Sequence, residues 1–420
     1  LIEDANPRRA LSLAAARFYG RQPKTMAAVT GTNGKTSVAV FARQIWALLG
    51  HKAASIGTIG VIGPDGSRLD EGAALTTPDP VQLHEMLARL ADAGISCAAI
   101  EASSHGLDQY RLDGVRLKAA AFTNLTRDHL DYHGTLEAYR DAKLRLFTHV
   151  LPADGTAIID MDSDAGQSIA QTLTTSGRSV WRLGRAGREI KLVEQKILPI
   201  GQHLLIEALG ERIACELPLI GAFQASNALA AAALVVACGL PVGEVFGTLC
   251  KLQGVPGRLQ HVGNVRRSGA QTQIYVDYAH TPDALVTVLK AVRPHTAARV
   301  HIVFGCGGDR DKGKRALMGE VASRNADRVI VTDDNPRSED PAAIRKAILS
   351  GILQSPSAIE IGDRAAAITN AIESAGPGDI VIIAGKGHET GQIVGGKTRP
   401  FDDAEIARTV LSRLNNTGSA

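Results

Sequence analysis

Aromatic side chains are scarce in this chain, as are cysteines, long apolar runs and an excess of charge of either sign. Of its 420 residues, 4% are aromatic and five are cysteines, and the formal net charge is +3. This near balance of charge gives no reason to expect nucleic acid or an anionic membrane as a partner. The longest apolar run, residues 228–238, is too short to cross a bilayer and predicts a buried helix.

The cysteines show neither a metal-binding spacing nor a disulfide framework, which is typical of proteins of the reducing cytoplasm. No signal peptide is recognisable, so we expect a cytoplasmic location. The sequence begins with Leu1 rather than Met and turns polar after Ile2, from which we expect an N-terminal portion to be missing.

A chain of 420 residues is long enough for two or three domains with separate cores. From Met26 onward, apolar strand patterns alternate with amphipathic helix patterns, which predicts α/β domains with mostly parallel sheets. Residues 155–215 are predicted to be β-rich or mixed, and an Ala-rich helix follows with Ser226 or Asn227 as its N-cap. The GVPG segment at residues 254–257 marks the expected domain boundary.

Residues 26–36, MAAVTGTNGKT, carry the strongest functional signal. An apolar strand breaks into a Gly-rich turn, after which Lys35 and Thr36 open a helix. Gly31 and Gly34 let backbone N–H groups approach a phosphate, and the helix N-terminus adds the positive end of its dipole. Lys35 would reach the β- and γ-phosphates, and the Thr36 hydroxyl would bind Mg²⁺. The general loop pattern has an earlier glycine where this chain has valine, yet the complete strand–loop–helix context predicts a nucleoside triphosphate site.

Three further features of the first domain remain ambiguous when judged from the residues alone. Glu101 ends a predicted strand, where it is either a metal ligand or an ordinary capping carboxylate. Residues 128–133 hold two Asp and two His after the next strand, which suggests a metal or phosphate site without a diagnostic spacing. Lys143 lies on a predicted helix, and by itself it is interpreted as a solvated surface residue.

The C-terminal part of the chain repeats one pattern four times. Apolar strands that end near residues 276, 304, 331 and 383 each lead into a Gly- or Asp-rich polar loop and then a helical pattern. In a doubly wound sheet such loops share one edge, where ligands bind. We therefore predict a second α/β domain with a ligand site at that edge, facing the first domain across a cleft.

Together these segments resemble the Mur ligase family, from about residue 8 to the C-terminus. GTNGKTS at residues 31–37 is the family's own nucleotide loop, which accounts for the missing first glycine. The other matching motifs follow in the family's order: TTP at 76–78, EASSHGLDQYR at 101–111, TRDHLDYHG at 126–134, YRDAKLRLF at 139–147, YAHTPDAL at 278–285, GCGGDRDKGKR at 305–315, DNPR at 334–337 and GKGHE at 385–389.

The resemblance implies a central P-loop ATPase-like domain, residues 23–256, and a Rossmann-like α/β domain for the amino-acid acceptor, residues 257–420. Residues 1–22 would be the remnant of an N-terminal UDP-binding domain. The implied reaction is ATP-dependent amide-bond formation through an acyl phosphate, in cytoplasmic peptidoglycan precursor synthesis. It would add meso-diaminopimelate to UDP-N-acetylmuramoyl-L-alanyl-D-glutamate. The implied form is a monomer that acts on small molecules, with no nucleic-acid or membrane partner.

The family's functional residues carry over to this chain by motif. The catalytic set is Lys35, Glu101, His129 and Lys143, the last as a carbamate derived from CO₂. Thr36 and Glu101 would bind one Mg²⁺ and His129 would help to bind a second, and the carbamate of Lys143 would supply the hard oxygens that Mg²⁺ requires. ATP would be held by Gly31, Thr32, Asn33, Gly34, Lys35, Thr36, Ser37, Asn227, Arg258, Asp277 and His280. The muramoyl-dipeptide would be held by Thr76, Thr77, Ser103, Gln109 and Arg111.

The implied acceptor site depends on DNPR, the family's signature for meso-diaminopimelate, because lysine-adding relatives lack the arginine. Arg337 would clamp the distal carboxylate bidentately. Lysine has no such carboxylate and would leave buried charge unpaired. Glu389 suits the distal ammonium group. The complete acceptor set is Arg310, Asp334, Asn335, Pro336, Arg337, Gly385 and Glu389.

Two other functions share parts of this pattern. A related ligase, such as folylpolyglutamate or cyanophycin synthetase, has the same nucleotide loop, although DNPR and GKGHE argue against it. A non-catalytic binding protein that retains the ATP fold is the second, given the loss of a substrate domain. Magnesium-dependent ATP turnover with both substrates would exclude it.

Overall fold

The computed structural model describes residues 3–70, 75–126, 128–352 and 358–417. The chain divides into two compact units. The first unit comprises Leu1–Lys196 and Gly201–Gln253, and the second comprises Ile197–Ile200 and Gly254–Ala420. The predicted α/β class with mostly parallel sheets is confirmed in both units.

Helices and strands alternate through most of the first unit. Its elements are α1 Pro7–Tyr19, β1 Thr25–Thr30, α2 Lys35–Leu48, β2 Ala53–Gly57, β3 Gly60–Ile62, α3 Pro80–Asp92, β4 Cys97–Glu101, α4 Ser104–Asp108, β5 Ala119–Phe122, α5 Leu130–His133, α6 Leu136–Arg145, β6 Thr156–Asp160, α7 Asp164–Thr175, β7 Ser179–Gly184, β8 Ile190–Ile197, β9 Gln202–Ala208, β10 Glu211–Leu217, α8 Ala222–Ala237 and α9 Val242–Gly247. A π-helical turn, Leu146–Val150, follows α6.

The ten-stranded sheet of the first unit has the order β10-β9-β8-β7-β6-β5-β1-β4-β2-β3. Strand β1 pairs in parallel with both β4 and β5, so the carboxyl ends of these three strands share one edge. All five residues of β4 are buried, as is nearly all of β1, because helices cover both faces of a parallel sheet. The small alanines of these strands let α2 pack closely against them, which fixes the loop between β1 and α2 at that edge.

The predicted N-cap of the Ala-rich helix was wrong, because α8 begins at Ala222 with Gly221 as its N-cap. Gly221 has φ +88°, a conformation that favours glycine. The buried Gln202 side chain donates from Nε2 to the carbonyls of Leu219 (2.8 Å) and Gly221 (2.9 Å). This distant contact fixes the start of the helix and places Asn227 inside it.

The second unit has its own six-stranded sheet in the order β11-β12-β16-β13-β14-β15, parallel except for the β11–β12 pair. Its elements are β11 Gln260–Arg267, β12 Ala270–Asp277, α10 Pro282–Val292, β13 Val300–Phe304, α11 Lys314–Asn325, β14 Arg328–Val331, α12 Pro341–Leu349, β15 Ala358–Glu360, α13 Arg364–Ser374, β16 Ile380–Ala384, β17 Gly391–Val394, β18 Lys397–Pro400 and α14 Asp403–Thr417. Strands β17 and β18 form a separate hairpin. The four predicted polar loops follow β12, β13, β14 and β16.

A fully buried ion pair joins two of these loops to α14. The Arg364 and Asp403 side chains are both 0% exposed, and they meet through two hydrogen bonds of 2.7 and 2.6 Å. Arg364 also donates to the carbonyls of Ala384 (2.9 Å) and Asp333 (3.3 Å), at the ends of β16 and β14. Burial alone would lower the pKa of Arg364, but the carboxylates of Asp403, Asp334 and Glu389 together raise it. The guanidinium therefore stays charged and holds both loops.

Within the described residues, none of the helices has both the length and the apolar character needed to cross a membrane.

We expect Asp403→Asn to destabilise the second unit, because it leaves the Arg364 charge buried without its partner. The loss in free energy of unfolding should be about 3–5 kcal/mol. Urea unfolding followed by circular dichroism measures this as a lower transition midpoint. The matched control is Glu405→Gln, an exposed carboxylate in the same helix turn, which should change stability by less than about 0.5 kcal/mol. Equal midpoints for the two variants would contradict the role given to the pair.

Candidate active site

The loop between β1 and α2 requires glycine at two positions. Gly31 has φ +149° and Gly34 has φ +89°. A β-carbon at Gly31 would collide with Thr123 Oγ1, and one at Gly34 would collide with Asn227 Oδ1. Both glycines therefore permit a close approach of the loop to its neighbours, and the second contact brings the predicted residue Asn227 to the loop.

The loop is anchored by the residues that follow β5. Thr32 N donates to Asn124 O and Asn33 N donates to Asn124 Oδ1, each at 2.9 Å. Thr123 Oγ1 donates to Asn33 O at 2.6 Å. The first turn of α2 holds Thr36 and Ser37, both buried, and no side chain among the described residues caps it. A helix N-terminus without a side-chain cap favours the binding of an anion.

Two lysine ammonium groups converge on one carbonyl oxygen of this loop. Lys35 Nζ donates to Gly31 O at 3.0 Å, and Lys143 Nζ donates to the same oxygen at 2.8 Å. Lys143 is 1% exposed, so its interpretation as a solvated surface residue was wrong. Burial lowers the pKa of Lys143 well below its usual range, and the charge of Lys35 lowers it further. Lys143 thus favours its neutral form, in contrast to an ordinary surface lysine.

Glu101 ends β4 beside the loop and is 1% exposed. Its two carboxylate oxygens accept hydrogen bonds from Thr58 N (2.8 Å) and Thr58 Oγ1 (3.2 Å). A β-carbon at Gly57 would collide with this carboxylate, so the small residue makes room for it. Each oxygen still has lone pairs available, and both earlier interpretations, capping carboxylate and metal ligand, fit this arrangement.

His129 lies in a group of rings with His105 and Tyr139. It has φ +52°, and its ring centroid is 4.9 Å from that of His105. Its side chain is 46% exposed and lies 3.5 Å from the Asp128 carboxylate. Arg127 of the same motif is outside the described residues. Among the residues that are described, no three His, Cys, Asp or Glu side chains form a group that could hold a metal ion.

The residues predicted to bind the dipeptide are joined by hydrogen bonds. Thr77 Oγ1 donates to Glu101 O (2.8 Å) and accepts from Ser103 N (3.0 Å). Arg111 donates to Thr77 O (2.7 Å) and to Gln109 Oε1 (2.6 Å). The fifth residue, Thr76, lies 3.0 Å from Thr58 through their hydroxyls. The structure thus brings this predicted set together beside the strand end of Glu101.

The remaining residues predicted to bind ATP belong to the second unit. Asp277 is buried at the end of β12 and accepts from Leu259 N (2.7 Å) and Ala279 N (2.8 Å). Burial raises the pKa of Asp277, against the opposing effect of Arg258. The Arg258 guanidinium lies over the Tyr278 ring, 4.7 Å from its centroid. His280 Nδ1 donates to Tyr278 O (2.7 Å), and desolvation lowers the pKa of His280.

The predicted acceptor residues meet at the ends of β14 and β16. Asn335 Nδ2 donates to Glu389 Oε2 at 2.8 Å. Lys386 is 0% exposed and donates to Asn335 Oδ1 (3.2 Å) and Glu389 Oε2 (3.0 Å). A β-carbon at Gly385 would lie 2.6 Å from Asp334 Oδ2, so the glycine lets that carboxylate approach β16. The site therefore contains two carboxylates at close quarters with one buried ammonium group.

Arg337 is half-buried at the next turn of the same loop, after the buried Pro336. Its Nη1 donates to Gly308 O at 2.8 Å, and a β-carbon at Gly307 would lie 2.7 Å from that nitrogen. Within the described part of the chain, neither Nε nor Nη2 of Arg337 hydrogen-bonds to protein, and no carboxylate forms an ion pair with it. The Nε–Nη2 edge of its fork thus remains open to a ligand. Arg310 is exposed on the facing loop.

Sequence reasoning missed three groups that shape these sites: the anchors Thr123 and Asn124, the buried Lys386, and Arg364. Lys386 lies within the GKGHE motif, three residues before Glu389, so a signal for it existed. No local signal identifies Asn124 or Arg364, because their partners are distant in sequence.

Two family models match the chain. The Mur ligase middle domain matches residues 29–235, and the Mur ligase glutamate ligase domain matches residues 257–387. The UDP-N-acetylmuramoyl-L-alanyl-D-glutamate–2,6-diaminopimelate ligase of Caulobacter vibrioides is 54% identical over 98% of this chain and 83% of its own length. The enzyme of the same name from Bradyrhizobium diazoefficiens is also 54% identical, over 98% of this chain and 84% of its own length.

Solved structures give the same result. A 2,6-diaminopimelate ligase of that name has a TM-score of 0.72 at 35% identity, covering 98% of this chain and 84% of its own. Mycobacterium tuberculosis folylpolyglutamate synthase, complexed with ADP, has a TM-score of 0.71 at 20% identity, covering 92% of each chain, and shares the fold alone. On these matches, the chain belongs to the Mur ligase family, among the UDP-N-acetylmuramoyl-L-alanyl-D-glutamate–2,6-diaminopimelate ligases.

Proposed function

We propose that this chain adds meso-diaminopimelate to UDP-N-acetylmuramoyl-L-alanyl-D-glutamate, with ATP as co-substrate, in cytoplasmic peptidoglycan precursor synthesis. The names of the relatives at 54% identity support the substrates, and the family's use of ATP and Mg²⁺ supports the reaction class. The observation that carries the acceptor assignment is Arg337, whose guanidinium fork keeps one edge without a protein partner.

The first chemical step would form an acyl phosphate. A carboxylate oxygen of the dipeptide attacks the γ-phosphorus of ATP, and the bond to the bridging oxygen of ADP breaks. Three or more anionic oxygens meet in this transition state, so catalysis depends on preorganised positive charge. Lys35 beside Gly31 and the uncapped N–H groups of α2 supply that charge. The diaminopimelate amine then attacks the acyl carbon, loses a proton, and phosphate leaves.

The residues near the loop fit a magnesium ion of the kind found in ATP-dependent enzymes. Mg²⁺ keeps several waters and takes one or two carboxylates together with substrate phosphates, so it needs no dedicated protein cage. Thr36 and Glu101 would hold one Mg²⁺ and His129 would help to hold a second, and the ions would screen the negative charge of the phosphates. The buried Glu101 carboxylate, which no lysine or arginine pairs in the described structure, supports this fit.

We also propose that Lys143 reacts with CO₂ to form a carbamate. Only a neutral amine attacks CO₂, and the lowered pKa of Lys143 favours that form. Carbamylation would remove a cation that lies against the same carbonyl as Lys35. It would put a carboxylate in its place, while the remaining N–H could still donate to Gly31 O. The cations Lys35 and Mg²⁺ would then face two anionic groups, the carbamate and the phosphates.

The acceptor site would select its substrate by binding two charged groups at the distal end of the amino acid, the carboxylate and the ammonium group. Arg337 offers two parallel N–H donors, which match a carboxylate in length and direction. Among the described residues, only the Oε2 oxygen of Glu389 accepts hydrogen bonds from protein, and the other oxygen, Oε1, suits the distal ammonium group. L-Lysine would satisfy Glu389 but leave the guanidinium edge unpaired, at a cost of about 1.5–3 kcal/mol. We therefore expect discrimination of about 10- to 100-fold or more.

Phosphate release tests the proposed function directly. With ATP, Mg²⁺ and UDP-N-acetylmuramoyl-L-alanyl-D-glutamate, meso-diaminopimelate should support turnover, and lysine should not at equal concentration. Reactions without acceptor and without the nucleotide sugar are the controls. Turnover with lysine instead would keep the ligase class and overturn the acceptor assignment. Turnover with a folate and glutamate would overturn the proposed function.

Arg337→Lys should weaken the acceptor much more than ATP, because it keeps the charge and removes the two-donor fork. We expect KM for meso-diaminopimelate to rise about 10- to 100-fold with KM for ATP within about twofold. Steady-state kinetics of both substrates measure this. Glu373→Gln, in an exposed ion pair of the same unit, is the matched control. A rise in both KM values together would remove Arg337 from the acceptor site.

Lys143→Ala should abolish turnover while leaving the protein folded, with partial recovery on addition of a small carboxylate such as formate or acetate. Activity of the unaltered protein should fall in CO₂-depleted buffer and return with bicarbonate. The effect should be larger at lower pH, because protonation of the amine competes with carbamylation. Insensitivity to CO₂ over that pH range would falsify the carbamate assignment, whatever Lys143→Ala does.

A further inference from the structure

Two loops of the second unit each contain one residue, other than glycine, in the left-handed conformation. Asp309 has φ +54° on the loop after β13, and Arg337 has φ +53° on the loop after β14. Aspartate tolerates this conformation, but for arginine it costs roughly 1–2 kcal/mol. Such a residue persists only where its surroundings hold it, and that is most often at a functional site.

The backbone of Arg337 is held by the β17 segment. Arg337 N donates to Ile393 O at 3.0 Å, and Gly395 N donates to Arg337 O at 2.8 Å. These two bonds fix where the residue lies along the hairpin. The guanidinium makes its shorter hydrogen bond, 2.8 Å, to Gly308 O of the other loop and a longer one, 3.5 Å, to Asn335 O of its own loop. The position of the other loop therefore contributes to where the guanidinium points.

The carboxylate of Asp309 joins the two loops at the residue next to Arg337. Its Oδ1 accepts from Ser338 Oγ at 2.7 Å, and its Oδ2 accepts from Ser338 N at 3.1 Å. Hydrogen bonding to Ser338 lowers the pKa of Asp309, so it stays ionised at neutral pH. The loop after β13 thus provides the acceptor Gly308 O for Arg337. Through the Asp309 carboxylate, the same loop also binds Ser338, the residue that follows Arg337.

A second set of hydrogen bonds joins the same two loops. Asp309 N donates to Glu339 Oε1 at 2.7 Å, and Arg315 binds both oxygens of Glu339, at 2.9 and 3.0 Å. Arg315 and the Asp309 N–H lower the pKa of Glu339 to about 2. These contacts keep the two loops together even where Ser338 is changed, so the proteins altered at Asp309 or Ser338 should still fold.

We propose that Asp309 and Ser338 form a clasp that sets acceptor selectivity by holding the Arg337 guanidinium in its carboxylate-binding direction. The proposal rests on the function proposed above. Asp309 is a positioning residue here: it touches Ser338 rather than substrate. Without the Asp309 carboxylate, Ser338 loses both of its hydrogen bonds to Asp309. The strained backbone of Arg337 can then relax toward an ordinary conformation. Its fork would then no longer face the distal carboxylate.

Three replacements of Asp309 separate contact from backbone shape. Asp309→Ala removes the carboxylate and makes φ +54° unfavourable. Asp309→Gly removes the carboxylate but adopts that φ without strain. Asp309→Asn tolerates the conformation and keeps one acceptor for Ser338. If the clasp acts through the carboxylate, Ala and Gly should behave alike, and Asn should recover much of the activity.

The kinetic test uses phosphate release with each variant and with Ser338→Ala. For Asp309→Ala and Asp309→Gly we expect KM for meso-diaminopimelate to rise about tenfold, with kcat and KM for ATP within about twofold. The preference for meso-diaminopimelate over lysine should fall by a similar factor. Ser338→Ala should lie between these and the unaltered protein, and Glu373→Gln should change nothing. Asp309→Gly with unaltered KM and selectivity would overturn the proposal, as would a parallel loss of kcat and both KM values.

Amide hydrogen exchange provides a measurement that needs no substrate. Exchange at the amide of Ser338 should be faster in Asp309→Ala and Asp309→Gly than in Asp309→Asn, with residues 264–267 in β11 unchanged. Equal exchange in all variants would overturn the clasp. If the unaltered protein shows no turnover with meso-diaminopimelate, the proposed function fails while this exchange result still decides whether the clasp exists.

Discussion

The carbonyl oxygen of Gly31 receives two ammonium groups, and the chemistry of the first unit depends on that crowding. Lys35 and Lys143 donate to it at 3.0 and 2.8 Å, from different helices. Two ammonium groups that share one carbonyl acceptor repel each other. A strong anion offsets that repulsion, as does the loss of one of the two charges. A triphosphate satisfies the first condition and neutralisation of Lys143 the second. The glycine is required because Thr123 occupies the space of a β-carbon, so the same residue provides both the close approach and the shared acceptor.

The second unit also holds buried charged side chains beside its polar loops. Lys386 holds Glu389 and Asn335 in place, and Arg364 ties the ends of β14 and β16 to Asp403. Every one of these polar groups has several partners, which is what burial demands of charged side chains. Arg337 is different: it is half-buried, and one edge of its fork has no acceptor in the described structure. This incomplete pairing supports the proposed place of Arg337 in the acceptor site.

Much of this arrangement could be predicted from the sequence, because it follows from strand order and from glycine. Polar loops after apolar strands must meet at one edge of a parallel sheet, and the glycines at 31, 34 and 385 stand where the backbone approaches neighbouring side chains closely. The buried state of Lys143 could not be predicted from the residue alone, since its environment comes from a loop 112 residues away. The predicted start of α8 was wrong for the same reason, because the side chain of Gln202 in β9 fixes where the helix begins. Local sequence patterns predict the helices and strands. Long-range side-chain contacts determine where those elements begin and end and how buried their charged side chains are.

Selectivity for a diamino acid with two carboxylates therefore depends on more than the presence of an arginine. A guanidinium on a flexible turn would donate hydrogen bonds to nearby carbonyl oxygens, as Nη1 of Arg337 already does to Gly308 O. What keeps the other edge open is that the backbone is fixed by β17 on one side and by the Asp309–Ser338 contact on the other. The strain at φ +53° is the cost of pointing that edge toward a substrate. An arginine in a relaxed conformation would gain stability and lose its preference for the second carboxylate, so the strained backbone and the selectivity have one cause.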